Sequence, residues 1–523
     1  MTIVKNKILY FFAVFSLAVV FLPGQELPEP QAVPDDALFV ITGFNFDITG
    51  RTRPFALIRT AEFRTGTELS GYTALEDYIR DKTQTLYNQR ILKNNPQINY
   101  SVAEQREDGI FPVTLFVIVE DSWNIIALPR PYFKNDVGFD MTIKARDYNF
   151  LGTMNPLRLD MGYNYDLRKE EHRHSFHIEL DTNIPFRAYD YDWNFRFTNL
   201  LSFRPGAEEP LYFRNITGLS VEVPYMATTF TFGIEEHFTL NEENSDWYWE
   251  EYGLYQNGLY MTTRMFTSWR IPTGLLTDWG ELAYTPGVSA RFIHELPSWP
   301  LDNFRRGPFL DFNHSLGFSK VDWNVNYRRG FSAAVINSYT LDVYRLNNDK
   351  NPLSVSLTAR GTGHFIVNDF LGISSRIMYQ HWFLNDPDFN DRAARDIRGI
   401  TDRSICANYM FSFNVDFPFR VLLFEPSVWF GNRRLSFFDF ELHGSPVIDF
   451  SLFNGFWRNS QSSMELDYTV SGGFELVVFP AFMRNFIVRL GYAWNLREQF
   501  SARPFRIPDG ENCEVYFIMG HHF

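Results

Sequence analysis

From Trp123 to Phe523 no convincing amphipathic helix can be drawn; short runs alternate apolar and polar side chains instead. Leu159, Met161, Tyr163 and Tyr165 alternate with Arg158, Asp160, Gly162 and Asn164. Phe230, Phe232 and Ile234 alternate with Thr229, Thr231 and Gly233, and Leu353, Val355 and Leu357 with Ser354, Ser356 and Thr358. A period of two puts all apolar side chains of a run on one face of an extended strand. The other face is wet and partly charged. The apolar face must meet either a second sheet, as in a soluble sandwich, or lipid, as in a membrane barrel.

Four further features favour the barrel. Lys5 and Lys7 precede an apolar run from Ile8 to Leu22 that Pro23 and Gly24 end. The run falls short of the roughly twenty residues a spanning helix needs, so 1–24 reads as a secretory signal peptide. Residues 25–37, with Pro28, Pro30 and Pro34, read as an extended linker. An exported chain with no later apolar run of spanning length belongs in the periplasm, outside the cell, or in the outer membrane as a barrel. Aromatic residues make up 18% of the chain, with 54 Phe, which suits girdles at two membrane interfaces. The alternating series is long and uninterrupted. The chain ends on Phe523, with Val515, Phe517 and Met519 on the same face of a final strand. The expectation is a mainly β protein in which 123–523 form a transmembrane antiparallel barrel. The runs number sixteen to eighteen, because 309–347 can be cut in more than one way. Sixteen is adopted, since an even count returns both ends of the barrel to the periplasm.

Charge and motifs exclude several classes. Acidic residues outnumber basic ones 62 to 48, for a net charge of −14, which is no footprint for nucleic acid. The two cysteines, Cys406 and Cys513, form no zinc framework; a bridge between them is left open. There is no nucleophile elbow, P-loop, zinc-protease helix or dinucleotide fingerprint. Asp386, Asp388 and Asn390 begin like a calcium loop, but Asp391 stands where Gly is needed and Ile397 where Glu is needed. No enzymatic activity, cofactor or metal is expected.

Residues 38–122 differ from the rest. Leu38 to Phe46 is strand-like, with Leu38, Val40, Phe44 and Phe46 on one face and Phe39 and Ile41 on the other. Phe55 to Phe63 can make a short helix. Thr73 with Glu76 can cap a second helix reaching about Asn88 or Leu92, with Leu75, Ile79 and Leu86 on one face. Strands at 98–105 and 112–119 flank an Asp108-Gly109 turn. The order is β-α-α-β-β.

Three further stretches carry a resemblance. Asp396-Ile397-Arg398-Gly399 lies in a loop ahead of the strand YMFSFNVDFP, where Asp416 shares the polar face with Ser412 and Asn414. Asp147, Asn149 and Gly152 form a D-x-N-x-x-G turn near the first barrel strands. Phe517, Met519 and Phe523 resemble the terminal assembly signal of bacterial outer-membrane proteins, although His521 replaces an apolar residue. With the small domain, which resembles a POTRA (polypeptide-transport-associated) domain, these stretches are similar to the BamA/TamA superfamily of outer-membrane insertases and translocases. The resemblance spans residue 38 to the end and is thin between 190 and 370.

That resemblance implies that Arg398 and Gly399 fold back into the lumen and that Arg398 meets Asp416 on the inner wall. Five strands fit after the loop, centred near 412, 427, 473, 489 and 517, which is also the family's number. Ile400 stands where the family has an aromatic residue, and VWFGN at 428–432 lacks a second acid. The implied function is assembly, insertion or translocation of proteins at the outer membrane, with the small domain in the periplasm. Unfolded outer-membrane or secreted proteins, outer-membrane lipid and accessory lipoproteins are the partners it implies. A passive porin-like channel, or a surface antigen with long loops at 241–256 and 437–464, are the rival readings.

Overall fold

The computed structural model describes residues 37–93, 95–134, 138–166, 174–206, 211–226, 228–240, 259–294, 308–347, 351–384, 397–399, 405–457, 464–497 and 513–519. Residues 1–24, read above as a signal peptide, most of 25–37, the stretches 386–391 and 241–256, and Phe523 lie outside them.

The first unit is a four-stranded sheet carrying two helices. Its elements are β1 (Leu38–Thr49), α1 (Pro54–Ala61), β2 (Glu68–Ser70), α2 (Gly71–Asn88), β3 (Gln97–Val102) and β4 (Ile110–Glu120). The sheet order is β2-β1-β4-β3, with β1 and β4 parallel. The alternation in β1 changes parity at Thr42, where a bulge lies between Ile41 and Gly43. Phe39 and Ile41 before it, and Phe44, Phe46 and Ile48 after it, therefore all face one core, where strict alternation would split them. They pack against Phe111, Val113, Leu115 and Val117 of β4 and against Leu57, Leu75 and Leu86 of the helices. The expected capping box does not form. Helix α2 starts at Gly71, so Ser70 is its N-cap and Thr73 lies inside its first turn.

The remaining strands close into a barrel in which nearly every neighbour in sequence is a neighbour in space. They are β5 (Ile125–Lys134), β6 (Gly138–Asp147), β7 (Leu157–Asp166), β8 (His174–Ala188), β9 (Tyr191–Phe203) and β10 (Leu211–Tyr225). Next come β11 (Thr228–Leu240), β12 (Leu259–Thr277), β13 (Gly280–His294), β14 (Phe309–Asn324), β15 (Tyr327–Asp342), β16 (Leu353–Asn368) and β17 (Leu371–Leu384). The last are β18 (Ile405–Asp416), β19 (Phe419–Phe424), β20 (Phe440–Trp457), β21 (Met464–Pro480), β22 (Val488–Asn495) and β23 (Cys513–Met519), which adjoins β5.

Segments β18 and β19 are one pass. Both pair with β17 and with β20, and only Phe417-Pro418 separates them. Pro418 has no N–H to give the ladder, so the pass breaks there. Among the described residues the nineteen segments thus make eighteen passes, not sixteen. The ambiguous stretch 309–347 holds two strands, β14 and β15. The five passes after the arginine loop are present, but the second is β20, not a strand near 427; residues 426–429 are a helical turn, α3 (Pro426–Trp429). The stretch 437–464, expected as a loop, is mostly β20. Three strands separate Cys406 from Cys513. At about 4.8 Å per strand no disulfide can span them, and Cys513 is in no disulfide bond.

Along the wall the alternation has the expected effect. Ile178, Phe232, Ile234, Val335 and Ile377 stand exposed on the outside. Phe230 stacks on Trp269 there at 4.9 Å. Asp160, Asp181, Arg196, Glu235 and Asp311 occupy the opposite face.

Candidate functional site

Residues 397–399 lie against the inner wall formed by β17 to β23. Ile397, 3% exposed, packs on Met378, Ala407, Met410 and Phe453, an apolar patch on an otherwise polar inner face. Beside it Arg398 meets three carboxylates. Its backbone N–H donates to Asp449 Oδ2 at 2.8 Å and its Nε to the same oxygen at 2.9 Å, while Nη2 donates to Oδ1. Nη1 donates to Asp416 Oδ1 at 2.6 Å and to Glu475 Oε1 at 3.2 Å. A second guanidinium, Arg489, donates to Glu475 at 3.0 Å and lies 3.5 Å from Asp416. The Tyr516 hydroxyl donates to Glu475, and the Gly399 N–H donates to Glu514 Oε2 at 3.1 Å. All these side chains except Glu514 are nearly or wholly buried. A planar five-donor fork suits such a cage, because one ammonium could not reach several carboxylates in fixed directions.

Gly399 is required twice over. Its φ is +74°, and a Cβ there would sit 2.6 Å from Trp494 N and 2.8 Å from Ala493 C. On the same strand a Cβ at Gly491 would sit 2.2 Å from Tyr516 Cζ, so that glycine makes room for the ring whose hydroxyl donates to Glu475. The structure thus brings Arg398, Gly399 and Asp416 together. It adds Asp449, Glu475, Glu514, Arg489 and Tyr516, which sequence reasoning missed. For Glu475, Arg489, Glu514 and Tyr516 the inward parity is readable from the sequence and the height along the barrel axis is not; Asp449 lies in the stretch expected as a loop.

The early turn does more than reverse the chain. Asn149, wholly buried, donates to Thr52 Oγ1 at 2.8 Å and to Asp121 Oδ2 at 3.1 Å, and accepts from Met154 N–H at 2.9 Å. Asp147 pairs with Arg51 at 3.0 Å. The Gly152 carbonyl accepts from Arg53 N–H at 2.9 Å, and a Cβ on Gly152 would meet Arg51 O at 2.0 Å. All three turn residues therefore hold the small domain against the barrel.

A second contact lies across the rim. Arg90 sits 4.2 Å from the Trp323 ring centroid, donates to Val325 O at 3.2 Å and Asn326 Oδ1 at 2.9 Å, and reaches the Arg484 carbonyl. Burial, and after it the neighbouring Arg484 guanidinium, hold Arg90 below its ordinary pKa. Arg484 Nη1 in turn donates to Leu92 O at 3.0 Å. The small domain thus bridges the turns that follow β6, β14 and β21.

Of the terminal-strand residues, Phe517 pairs with Leu490 and shares the outer face with exposed Val515. The Met519 side chain and Phe523 lie outside the described residues.

No family model matches the chain, and no curated protein matches it in sequence. Among solved structures it is similar to BamA from Haemophilus ducreyi lacking POTRA domains 1-3, at 11% identity and a TM-score of 0.35, over 92% of this chain and 84% of that one. It is similar to CdiB from Acinetobacter baumannii at 11% identity and a TM-score of 0.45, over 92% and 74% of the two chains. For CdiB from Escherichia coli the values are 10% and 0.40, over 95% and 93%.

Proposed function

We propose that this chain is an assembly or translocation factor of the BamA/TamA type, seated in the outer membrane with its small domain in the periplasm. One observation carries the reading. The Arg398-Gly399 loop crosses from the β17–β18 connection to Glu514 of β23, tying β18, β20, β21 and the final strand together. A cage of that kind stiffens one side of the barrel up to its closing strand and leaves the β23–β5 seam as the place where the wall can part.

In this reading the edge of the small domain receives the client. Strand β3 ends the sheet and presents unpaired backbone groups to an extended segment. The client then reaches the seam, where β23 has seven residues and can template an incoming strand. Backbone pairing and burial of apolar surface in the bilayer drive the step, without nucleotide.

A photo-cross-linker placed along 513–519 in cells tests it. Adducts with nascent barrel or surface proteins are expected. Their absence, with unchanged levels of other outer-membrane proteins after depletion, overturns the proposal. A passive channel is the second reading, favoured by the polar inner face at Asn183, Asn194, Arg196 and Glu235. Large, stable conductance in planar bilayers that survives deletion of 38–122 would favour it. The surface-antigen reading loses one of its two loops to β20.

A further inference from the structure

The connection between β19 and β20 is ordered, yet it shows large apolar side chains outward. Helix α3 and the 3-10 turn Arg433–Phe438 build it. Buried Asp439 accepts from Ser427 N–H at 3.0 Å and from its hydroxyl, and Asn432 caps Arg434 N–H at 3.0 Å. So fastened, Val428, Trp429, Phe430, Phe437 and Phe438 are each 58% to 74% exposed. Water is a poor partner for such a cluster.

Its position says what covers it. Trp429 packs edge-on against Phe424 at 5.0 Å, and Phe424 packs against Phe440 at 5.2 Å. Phe440 and Leu442 alternate with buried Glu441 and His443, so this aromatic row lies on the outer wall. Phe437 stacks at 4.3 Å on Phe482, in the turn after β21 that also carries Arg484, a contact of the small domain. The hairpin is therefore at the rim where that domain sits, continuous with the outward apolar belt. Arg433 and Arg434 stand exposed beside the rings. Aromatic rings next to arginines are the composition of a segment lying in a headgroup layer.

We propose that residues 426–438 embed in the phospholipid interface of the periplasmic leaflet, with the rings among acyl chains and Arg433 and Arg434 on phosphates. The inference rests on the membrane reading of the barrel and goes beyond it by assigning a lipid-contacting hairpin outside the strands.

The test uses the full mature chain with Cys406→Ser and Cys513→Ser, reconstituted in vesicles of phosphatidylethanolamine and phosphatidylglycerol. A nitroxide is attached after Phe430→Cys, with Ile377→Cys on the outer wall and Glu107→Cys on the small domain as references. Collision with oxygen and with a water-soluble nickel chelate is measured. The expected result is loss of nickel collision at position 430 to the level at 377, with oxygen collision retained. Adding Arg433→Glu and Arg434→Glu should raise nickel collision toward the value at 107. Nickel access at 430 equal to that at 107, with 377 protected, overturns the hairpin proposal alone. Shielding of 430 from both probes also overturns it, because protein then covers the cluster. Nickel access at 377 overturns the membrane reading and the hairpin with it.

Discussion

The barrel wall from β18 to β23 and the wall from β8 to β13 carry the same alternation, but their inner faces meet different surroundings. Ser412, Asn414, His443, Ser451, Thr469 and Glu475 are wholly buried. Across the lumen, Glu235 is held by Arg196 at 2.9 Å and Arg264 at 3.0 Å, and those arginines keep about a third of their side-chain surface in contact with solvent. A two-residue period decides which face looks inward; what lies against that face decides the dielectric. The same arginine–carboxylate chemistry is a screened contact on one wall and a desolvated cage on the other.

The sharpest way to break this contrast is to remove the cation from each wall. Arg398→Ala leaves Glu475 and Asp416 to Arg489, takes from Asp449 the guanidinium that clamps it, and should cost about 3–5 kcal/mol, the penalty of stranding buried charge. In detergent the folded band of heat-modifiable migration should disappear at a clearly lower temperature. Arg398→Lys should recover only part of the loss, since an ammonium lacks the fork. Arg196→Ala should cost about 0.5–1 kcal/mol, because solvent screens the site and Arg264 remains on Glu235. Equal losses at the two positions would mean that the loop does not desolvate its wall.

A backbone comparison comes next in size. Gly399 and Gly274 share a left-handed conformation, with φ of +74° and +75°. A Cβ on Gly274 meets nothing within 4 Å, whereas on Gly399 it meets the backbone of β22. Gly274→Ala should cost about 1 kcal/mol, for conformation alone. Gly399→Ala should cost about 2–3 kcal/mol, adding the clash to the strain. Unfolding temperatures of both variants in the same detergent check the difference, which vanishes if the loop is loosely held.

Particular residues show what sequence could and could not disclose. The face of Asp416 was legible from Ser412 and Asn414 beside it, and the loop arginine from its resemblance to a known motif. Asp449 is not, because the stretch that carries it reads as a long connection and folds as β20. Exposed Val428, Trp429 and Phe430 read as a strand near 427, while Pro418 hides the continuity of β18 with β19. Glu475 and Glu514 come from passes far along the chain, and alternation fixes their side of the wall without fixing their height. In the small domain the bulge at Thr42 reverses parity inside one strand, which a strict period of two cannot foresee. Asn149 was readable as a turn residue, for reasons local to the turn. Its partners Thr52 and Asp121 lie in the other domain, beyond the reach of local reasoning.

That turn supplies the smallest and most local effect. Asn149→Ala removes the acceptor of the Met154 amide and two donors toward the small domain, while the cage around Arg398 stays intact. Losing a buried hydrogen-bond partner costs about 1–1.5 kcal/mol, or roughly a tenfold change in an opening equilibrium. Amide exchange at Met154 and Thr52 should therefore quicken by about tenfold. The temperature at which the folded band is lost should stay within a degree or so of the parent, because the barrel ladder is untouched. If Asn149→Ala lowers that temperature as much as Gly399→Ala does, rim and lumen form one cooperative unit. Docking of the small domain would then be part of barrel stability and not a separable contact at its mouth.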